Sequence, residues 1–192
     1  MGAMETFTAD DGERLHLRIV GNGTPVLLLH GWTSSHAVWN PLLPTLTAGY
    51  QVFCPDARCH GGHGTLATTQ PSIERLARDV LNLIVHYGLN NLAVVGHSMG
   101  ALTLWQFIRD YGCKRLSHLC IIDQSPKLVT DAEWHWHLWG FRCDPFATLD
   151  RRNASRFCRG SDAASGPWPE CPGTQWLRMQ QCSLAKITPL FA

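Results

Sequence analysis

Residues 96–100 read G-H-S-M-G and place a serine hydroxyl between two glycines. An apolar, β-branched run (residues 91–95) precedes this motif, and helix-forming residues 101–108 follow it. A G-x-S-x-G motif between a strand and a helix is typical of a nucleophile elbow, which exposes the serine at the end of a sheet. We therefore predict that Ser98 is a nucleophile for acyl transfer through an acyl-serine intermediate. The alternative is a glycine-rich turn in which Ser98 only caps the helix.

Other polar residues also follow predicted strands. The predicted strands are 25–29, 50–54, 91–95 and 119–122. Shortly after their ends come, in the same order, His30-Gly31-Trp32, Asp56, Ser98 and Asp123. Predicted helices alternate with these strands over residues 36–47, 71–87 and 101–108. Such alternation indicates βαβ units and a doubly wound, mostly parallel α/β sheet. Because ligands bind beyond the carboxyl ends of parallel strands, the sequence predicts a site at that edge.

The chain begins with a predicted hairpin. Residues 4–8 and 13–20 have strand patterns and flank the turn sequence Asp10-Asp11-Gly12. We expect these two strands to extend the parallel sheet with an antiparallel part.

With these motifs the chain resembles the α/β-hydrolase superfamily, and most of all its serine esterases, lactonases and cofactor-free haloperoxidases. The segments that carry the resemblance are residues 30–32, 56–61, 96–100 and 123–126. The resemblance runs from about residue 5 to about residue 130 and implies an α/β-hydrolase fold. Cys59 departs from the family pattern, which has glycine there. If the backbone needs a positive φ at this position, the cysteine costs about 1–2 kcal/mol.

The resemblance also implies roles for the residues near Ser98. It assigns an oxyanion hole to the backbone N–H groups of Trp32 and Met99. It argues against the haloalkane-dehalogenase and epoxide-hydrolase branches, because those would require an aspartate at position 98. Asp123 follows the next strand, where some members of the family keep the acid of the triad. It is predicted either as that acid or as a structural residue of its turn.

The histidine of the triad is harder to place. The family places it after the last strand, but no histidine follows His137. His135 and His137 lie in a segment that is predicted to begin a cap helix over the site. Without the histidine, Ser98 would stay protonated, and residual catalysis would rest on the oxyanion hole and on binding.

The resemblance ends at about residue 140, where the composition changes. We predict a hydrolase core over residues 1–140, which includes the start of the cap, and an atypical tail over residues 141–192. The tail is interpreted as disordered or non-homologous, so the fold is expected to be incomplete at the C-terminus. A truncation or a frame change in a longer gene would explain this, and a divergent folded cap is the alternative.

Composition bounds the function. Only 16% of the residues are charged and the net charge is +1. This composition does not indicate the basic surface that binding to nucleic acid requires. We find no apolar run that could cross a bilayer, and we expect no membrane partner, no cofactor and no metal. The N-terminus lacks the pattern of a secretory signal, so the eight cysteines are expected to be free thiols of a cytoplasmic protein. The sequence does not predict an oligomeric state.

These observations favour a serine hydrolase that acts on carboxylic esters or related small acyl substrates, impaired if the triad histidine is missing. The competing hypothesis is a non-catalytic small-molecule binding protein that retains the hydrolase pocket.

Overall fold

The computed structural model describes residues 4–61 and 71–124, which form a six-stranded sheet with helices on both faces. The strands are β1 (Met4–Thr8), β2 (Arg14–Val20), β3 (Thr24–Leu29), β4 (Tyr50–Pro55), β5 (Leu92–His97) and β6 (Leu116–Ile122). The helices are a 3-10 helix (His36–Trp39), α1 (Leu43–Leu46), α2 (Ile73–His86) and α3 (Met99–Tyr111).

The strand order is β1-β2-β4-β3-β5-β6. Strands β4, β3, β5 and β6 are parallel neighbours, whereas β2 pairs antiparallel with both β1 and β4. The predicted fold class, a mostly parallel α/β sheet, is therefore confirmed. The predicted hairpin is also present, and Gly12 in its turn has a φ of 85°.

Two hydrophobic cores cover the two faces of the sheet. Because side chains alternate along a strand, the continuous apolar run of β3 sends Leu27 and Leu29 to one face and Val26 and Leu28 to the other. The first face packs against α2 and α3, and the second packs against the 3-10 helix and α1. This burial on both faces fixes the register of β3, whose carboxyl end leads into the predicted site.

Helix α2 forms as its sequence predicts. The Ser72 hydroxyl caps its first turn by accepting a hydrogen bond of 3.2 Å from the backbone N–H of Arg75. Its apolar stripe, from Ile73 to Ile84, is buried against the sheet, and Gly88 leaves the helix with a φ of 62°.

Some predictions about the elements are wrong. The helix expected over residues 36–47 is instead a 3-10 helix and the single turn α1, separated by a segment that contains Pro41. A proline lacks the N–H that a helix interior needs, so it interrupts such a pattern. Strand β6 begins at Leu116, three residues before its predicted start.

The cysteine prediction holds only in part. Cys54, Cys59 and Cys120 form no disulfide, as expected, whereas Cys113 is disulfide-bonded. The predicted boundary at residue 140, the tail, the start of the cap, and His135 and His137 all lie outside the described residues. Within the described ranges, no helix is both long and apolar enough to span a membrane.

Candidate active site

Ser98 lies on a tight turn between β5 and α3. Its backbone has φ 51° and ψ −112°, an unfavourable conformation for a residue with a side chain. The turn is possible because Gly96 and Gly100 have no Cβ. A Cβ at Gly96 would lie 2.6 Å from the carbonyl oxygen of Gly100, and one at Gly100 would overlap the carbonyl oxygen of Leu29. The structure therefore gives the motif the close packing of a nucleophile elbow.

The loop after β3 lies directly against this turn. A Cβ at Gly31 would be 3.3 Å from the Cβ of Ser98 and 2.8 Å from Nδ1 of His97. Any larger residue at position 31 would therefore push this loop, which continues into Trp32, away from Ser98.

Trp32 and Met99, the predicted oxyanion donors, come from two different elements. Met99 is the first residue of α3, so its N–H has no acceptor within the helix. Its side chain is buried between α2 and α3 with Ile73, Leu76 and Leu102. The indole of Trp32 is 52% exposed at the end of β3. Met99 thus follows Ser98 directly, and Trp32 follows Gly31, which lies against the Ser98 turn. The role of their amides as an oxyanion hole stays a prediction.

Asp123 follows β6, the strand next to the one that ends at Ser98. The backbone N–H of Ser98 donates to the carbonyl oxygen of Ile122 at 3.0 Å, so Asp123 lies at the adjacent strand end. It is exposed, and its φ is 53°. Within residues 4–61 and 71–124, no side chain is hydrogen-bonded to its carboxylate or to the Ser98 hydroxyl. A catalytic and a structural role for Asp123 both remain compatible with this geometry.

His30 braces the loop that carries Trp32. Its Nδ1 lies 2.7 Å from the carbonyl oxygen of Gly31, and its Nε2 lies 3.0 Å from the backbone N of Ala57. A carbonyl only accepts and an N–H only donates, so the ring is neutral with its proton on Nδ1. Burial lowers the pKa of His30, in agreement with this neutral form. The histidine therefore ties the loop after β3 to the loop after β4.

Asp56, at the end of β4, holds a different part of the same edge. Its buried carboxylate accepts from the backbone N–H of His36 at 2.6 Å and lies 3.0 Å from Nδ1 of the same residue. A Cβ at Gly61 would overlap this carboxylate. Asp56 is thus occupied by loop contacts, which indicates a structural role.

His60 joins these loops through its ring. The ring centroid lies 5.2 Å from that of Trp32, edge-on at 74°, and 5.4 Å from that of His30. The Nδ1 of His60 donates to the carbonyl oxygen of Arg58 at 2.8 Å. Trp32 therefore packs on a ring that is itself hydrogen-bonded to the loop after β4.

Sequence reasoning missed a buried ion-pair network behind the site. Arg58, whose side chain is fully buried, donates to Asp79 at 2.6 and 2.8 Å and pairs with Asp11 at 2.8 Å. Arg75 bridges Asp79 and Asp10 at 2.8 and 2.6 Å. The i, i+4 spacing of Arg75 and Asp79 was the one available signal for this network.

Among the described residues, no group of three or more His, Cys, Asp or Glu side chains could hold a metal ion. Burial raises the pKa of Cys54 to about 12, so its thiol stays protonated. A cavity of about 40 Å³, lined mostly by apolar side chains that include Leu29 and Met99, lies between α2 and the sheet.

A serine on a strand-to-helix turn, at the carboxyl edge of a parallel sheet, defines the nucleophile-elbow class of α/β proteins. The family model for the alpha/beta hydrolase fold matches residues 24–151, two thirds of the sequence, and the chain belongs to this family.

The relatives differ in what their names describe. The chain is 30% identical over 136 residues to a non-heme haloperoxidase of Rhodococcus erythropolis, which is 68% of this chain and 47% of the relative. It is 31% identical over 132 residues to strigolactone esterase D14 of Arabidopsis thaliana, which is 64% of this chain and 47% of the relative. The structure of epoxide hydrolase CorEH superposes with a TM-score of 0.63 at 29% identity, covering 69% of this chain and 46% of that one. The chain spans about half the length of the curated relatives it matches.

Proposed function

We propose that the protein is a serine hydrolase for carboxylic esters or related small acyl compounds, with Ser98 as its nucleophile. The main support is the Ser98 backbone, which is held in an unfavourable conformation by two close glycine contacts. Such strain persists where the surrounding structure enforces it, and it is common at active sites. A helix cap would not need it, and the Ser98 side chain makes no capping hydrogen bond to α3.

In the proposed reaction, Oγ of Ser98 attacks the carbonyl carbon of the ester. The carbonyl oxygen becomes an anion and accepts hydrogen bonds from the N–H groups of Trp32 and Met99. The positive end of α3 favours the same negative charge. The C–O bond to the alcohol then breaks, and the alcohol leaves with the proton of the serine hydroxyl. Attack by water on the acyl-serine releases the acid and restores Ser98.

The serine proton needs a base, and Asp123 is proposed as the acid that orients it. This proposal rests on the position of Asp123 one strand away from Ser98. His135 and His137 follow it in the sequence and lie outside the described residues.

The name of strigolactone esterase D14 supports an ester substrate, whereas the name of the matched epoxide hydrolase describes an epoxide substrate. A serine at position 98 favours the ester, because an acyl-serine is an intermediate of acyl transfer.

Labelling with a fluorophosphonate tests the proposal. The wild-type chain should be labelled on Ser98, as located by peptide mass spectrometry, and Ser98→Ala should not be labelled. Ser117→Ala is a matched control, because this serine is partly buried like Ser98 and its hydroxyl donates to the carbonyl oxygen of Asn91, at the start of β5 and away from the site. Equal labelling of wild type and Ser98→Ala, or no labelling of wild type, would contradict a nucleophilic role.

A non-catalytic binding protein is the second candidate. It is favoured by one observation: no histidine within residues 4–61 and 71–124 is hydrogen-bonded to the Ser98 hydroxyl. In that case the wild-type chain would remain unlabelled but would bind a small ester in calorimetry, and Gly31→Leu would weaken this binding by filling the space beside Ser98.

A further inference from the structure

The loops after β3 and β4 are joined at the edge where Ser98 lies. The backbone N–H of Ala57 donates to His30, and the ring of His60 contacts the rings of both His30 and Trp32. These contacts link the loop that carries the proposed oxyanion donor to the loop after β4.

His60 is anchored on the side away from Trp32. Its Nδ1 donates to the carbonyl oxygen of Arg58, and its backbone N–H donates to the carbonyl oxygen of Ala57 at 2.9 Å. The guanidinium of Arg58 is buried among Asp11 and Asp79. These hydrogen bonds fix the position of the imidazole, and the ring of Trp32 packs against that imidazole.

The backbone of the Trp32 loop adopts unfavourable conformations. It contains Gly31, and Thr33 has a φ of 57°, a conformation that side chains disfavour. The turn hydrogen bond from the N–H of Ser34 to the carbonyl oxygen of Gly31 is 3.3 Å long. A loop of this kind depends on side-chain contacts to keep a single conformation.

We propose that His60 is a positioning residue, which holds the indole of Trp32 and thereby keeps the Trp32 N–H directed to the oxyanion. The role rests on the proposed function, because it assumes an oxyanion beside Ser98. Edge-on aromatic pairs are directional, so this contact fixes the orientation of Trp32 as well as its distance. His60 itself does not need to touch the substrate.

Three substitutions separate the ring contact from the hydrogen bond. His60→Ala removes both, His60→Phe keeps a ring against Trp32, and His60→Asn keeps a donor for the Arg58 carbonyl. We expect the rate constant for fluorophosphonate labelling to fall about tenfold in His60→Ala, which is less than the loss of a whole oxyanion donor. His60→Phe should recover most of this loss and His60→Asn should not. The loss should fall on the maximal labelling rate and leave the half-saturating probe concentration unchanged, because the contact acts on the transition state.

A spectroscopic measurement tests the contact without activity. The chain has eight tryptophans, and in protein labelled with 5-fluorotryptophan the ¹⁹F signal of Trp32 is the one lost in Trp32→Phe. His60→Ala should shift or broaden that signal, and His60→Phe should restore a single sharp one.

His86→Ala is the matched control. His86 also contacts aromatic rings, those of Phe7 and Tyr87, but it lies at the end of α2 that leads to the start of β5, at the opposite edge of the sheet. It should change neither the labelling rate nor the Trp32 signal.

Two results would overturn the proposal: a Trp32 signal that is unchanged in His60→Ala, or labelling that is rescued by asparagine and not by phenylalanine. If the wild-type chain is not labelled at all, the proposed function fails, and the ¹⁹F signal still decides whether His60 positions Trp32.

Discussion

Two regions on either side of the loop after β4 are built in opposite ways. The first is the buried arginine network, formed by Arg58 and Arg75 with Asp10, Asp11 and Asp79, in which each charge has partners of opposite sign. The second is the serine elbow, residues 96–100, where the backbone is strained and the Ser98 hydroxyl has no hydrogen bond within the described residues. One region pairs its polar groups, and the other leaves the half-buried Ser98 hydroxyl without a hydrogen bond among the described residues.

The difference indicates how the strain at the elbow can persist. Strained active-site conformations cost about 1–3 kcal/mol each and last only when the surrounding structure enforces them. In this protein the arginine network joins the β1–β2 hairpin, α2 and the loop after β4, and that loop contacts His30 and Trp32. We interpret the arginine network as a rigid support for the loops at this edge of the sheet. Such support would help the elbow to keep its strained backbone.

Removal of Arg58 should have the largest effect. Arg58→Met leaves the carboxylates of Asp11 and Asp79 without their main partner, and the loss of one member of a buried pair costs about 3–5 kcal/mol. We expect Arg58→Met to lower the free energy of unfolding in urea by about 3 kcal/mol. This is near the lower end of the range, because Arg75 still pairs with Asp79.

Arg14→Ala is the control for this prediction. Arg14 is exposed, and its guanidinium donates one hydrogen bond of 3.2 Å to Thr6, so its removal should cost less than about 0.5 kcal/mol. Similar free energies of unfolding for Arg58→Met and the wild type would show that the network does not support the fold.

A methyl group at the elbow should have the next largest effect. In Gly96→Ala the new Cβ would lie 2.6 Å from the carbonyl oxygen of Gly100 and 2.7 Å from the backbone N of Ala101. Because both are backbone atoms, helix α3 must shift. We expect the free energy of unfolding to fall by about 2 kcal/mol and the fluorophosphonate labelling of Ser98 to be lost.

Gly49→Ala is the matched control, because nothing lies within 4 Å of its added Cβ and its φ is not positive. It should be neutral or more stable by about 0.5 kcal/mol. A Gly96→Ala variant with wild-type stability and labelling would mean that the turn does not depend on close packing.

The comparison of these regions also shows what the sequence could predict. The elbow is local: a strand, a serine between glycines and a helix lie within twenty residues, so its position follows from the order of residues. The arginine network is not local, since Asp11, Arg58 and Asp79 meet only through the fold. The helix predicted over residues 36–47 is wrong for a local reason, because Pro41 lies inside that range and lacks the N–H that a continuous helix needs. The roles of Trp32, Met99 and Asp123 stay predictions.

Cys59 lies in the loop after β4, beside Arg58 of the network, and its replacement should have the smallest effect. The sequence suggested strain at this position, and the structure gives Cys59 a φ of 60° in an exposed turn between Arg58 and His60. Cys59→Gly removes the Cβ that disfavours this conformation, so we expect the free energy of unfolding in urea to rise by about 1 kcal/mol. Cys59→Ala keeps the Cβ and loses only the thiol, so it should match the wild type. If both variants were equally stabilised, the thiol and not the backbone would be the source of the strain. If neither changed, the loop after β4 would be relaxed, and strain at this edge would belong to the serine side alone.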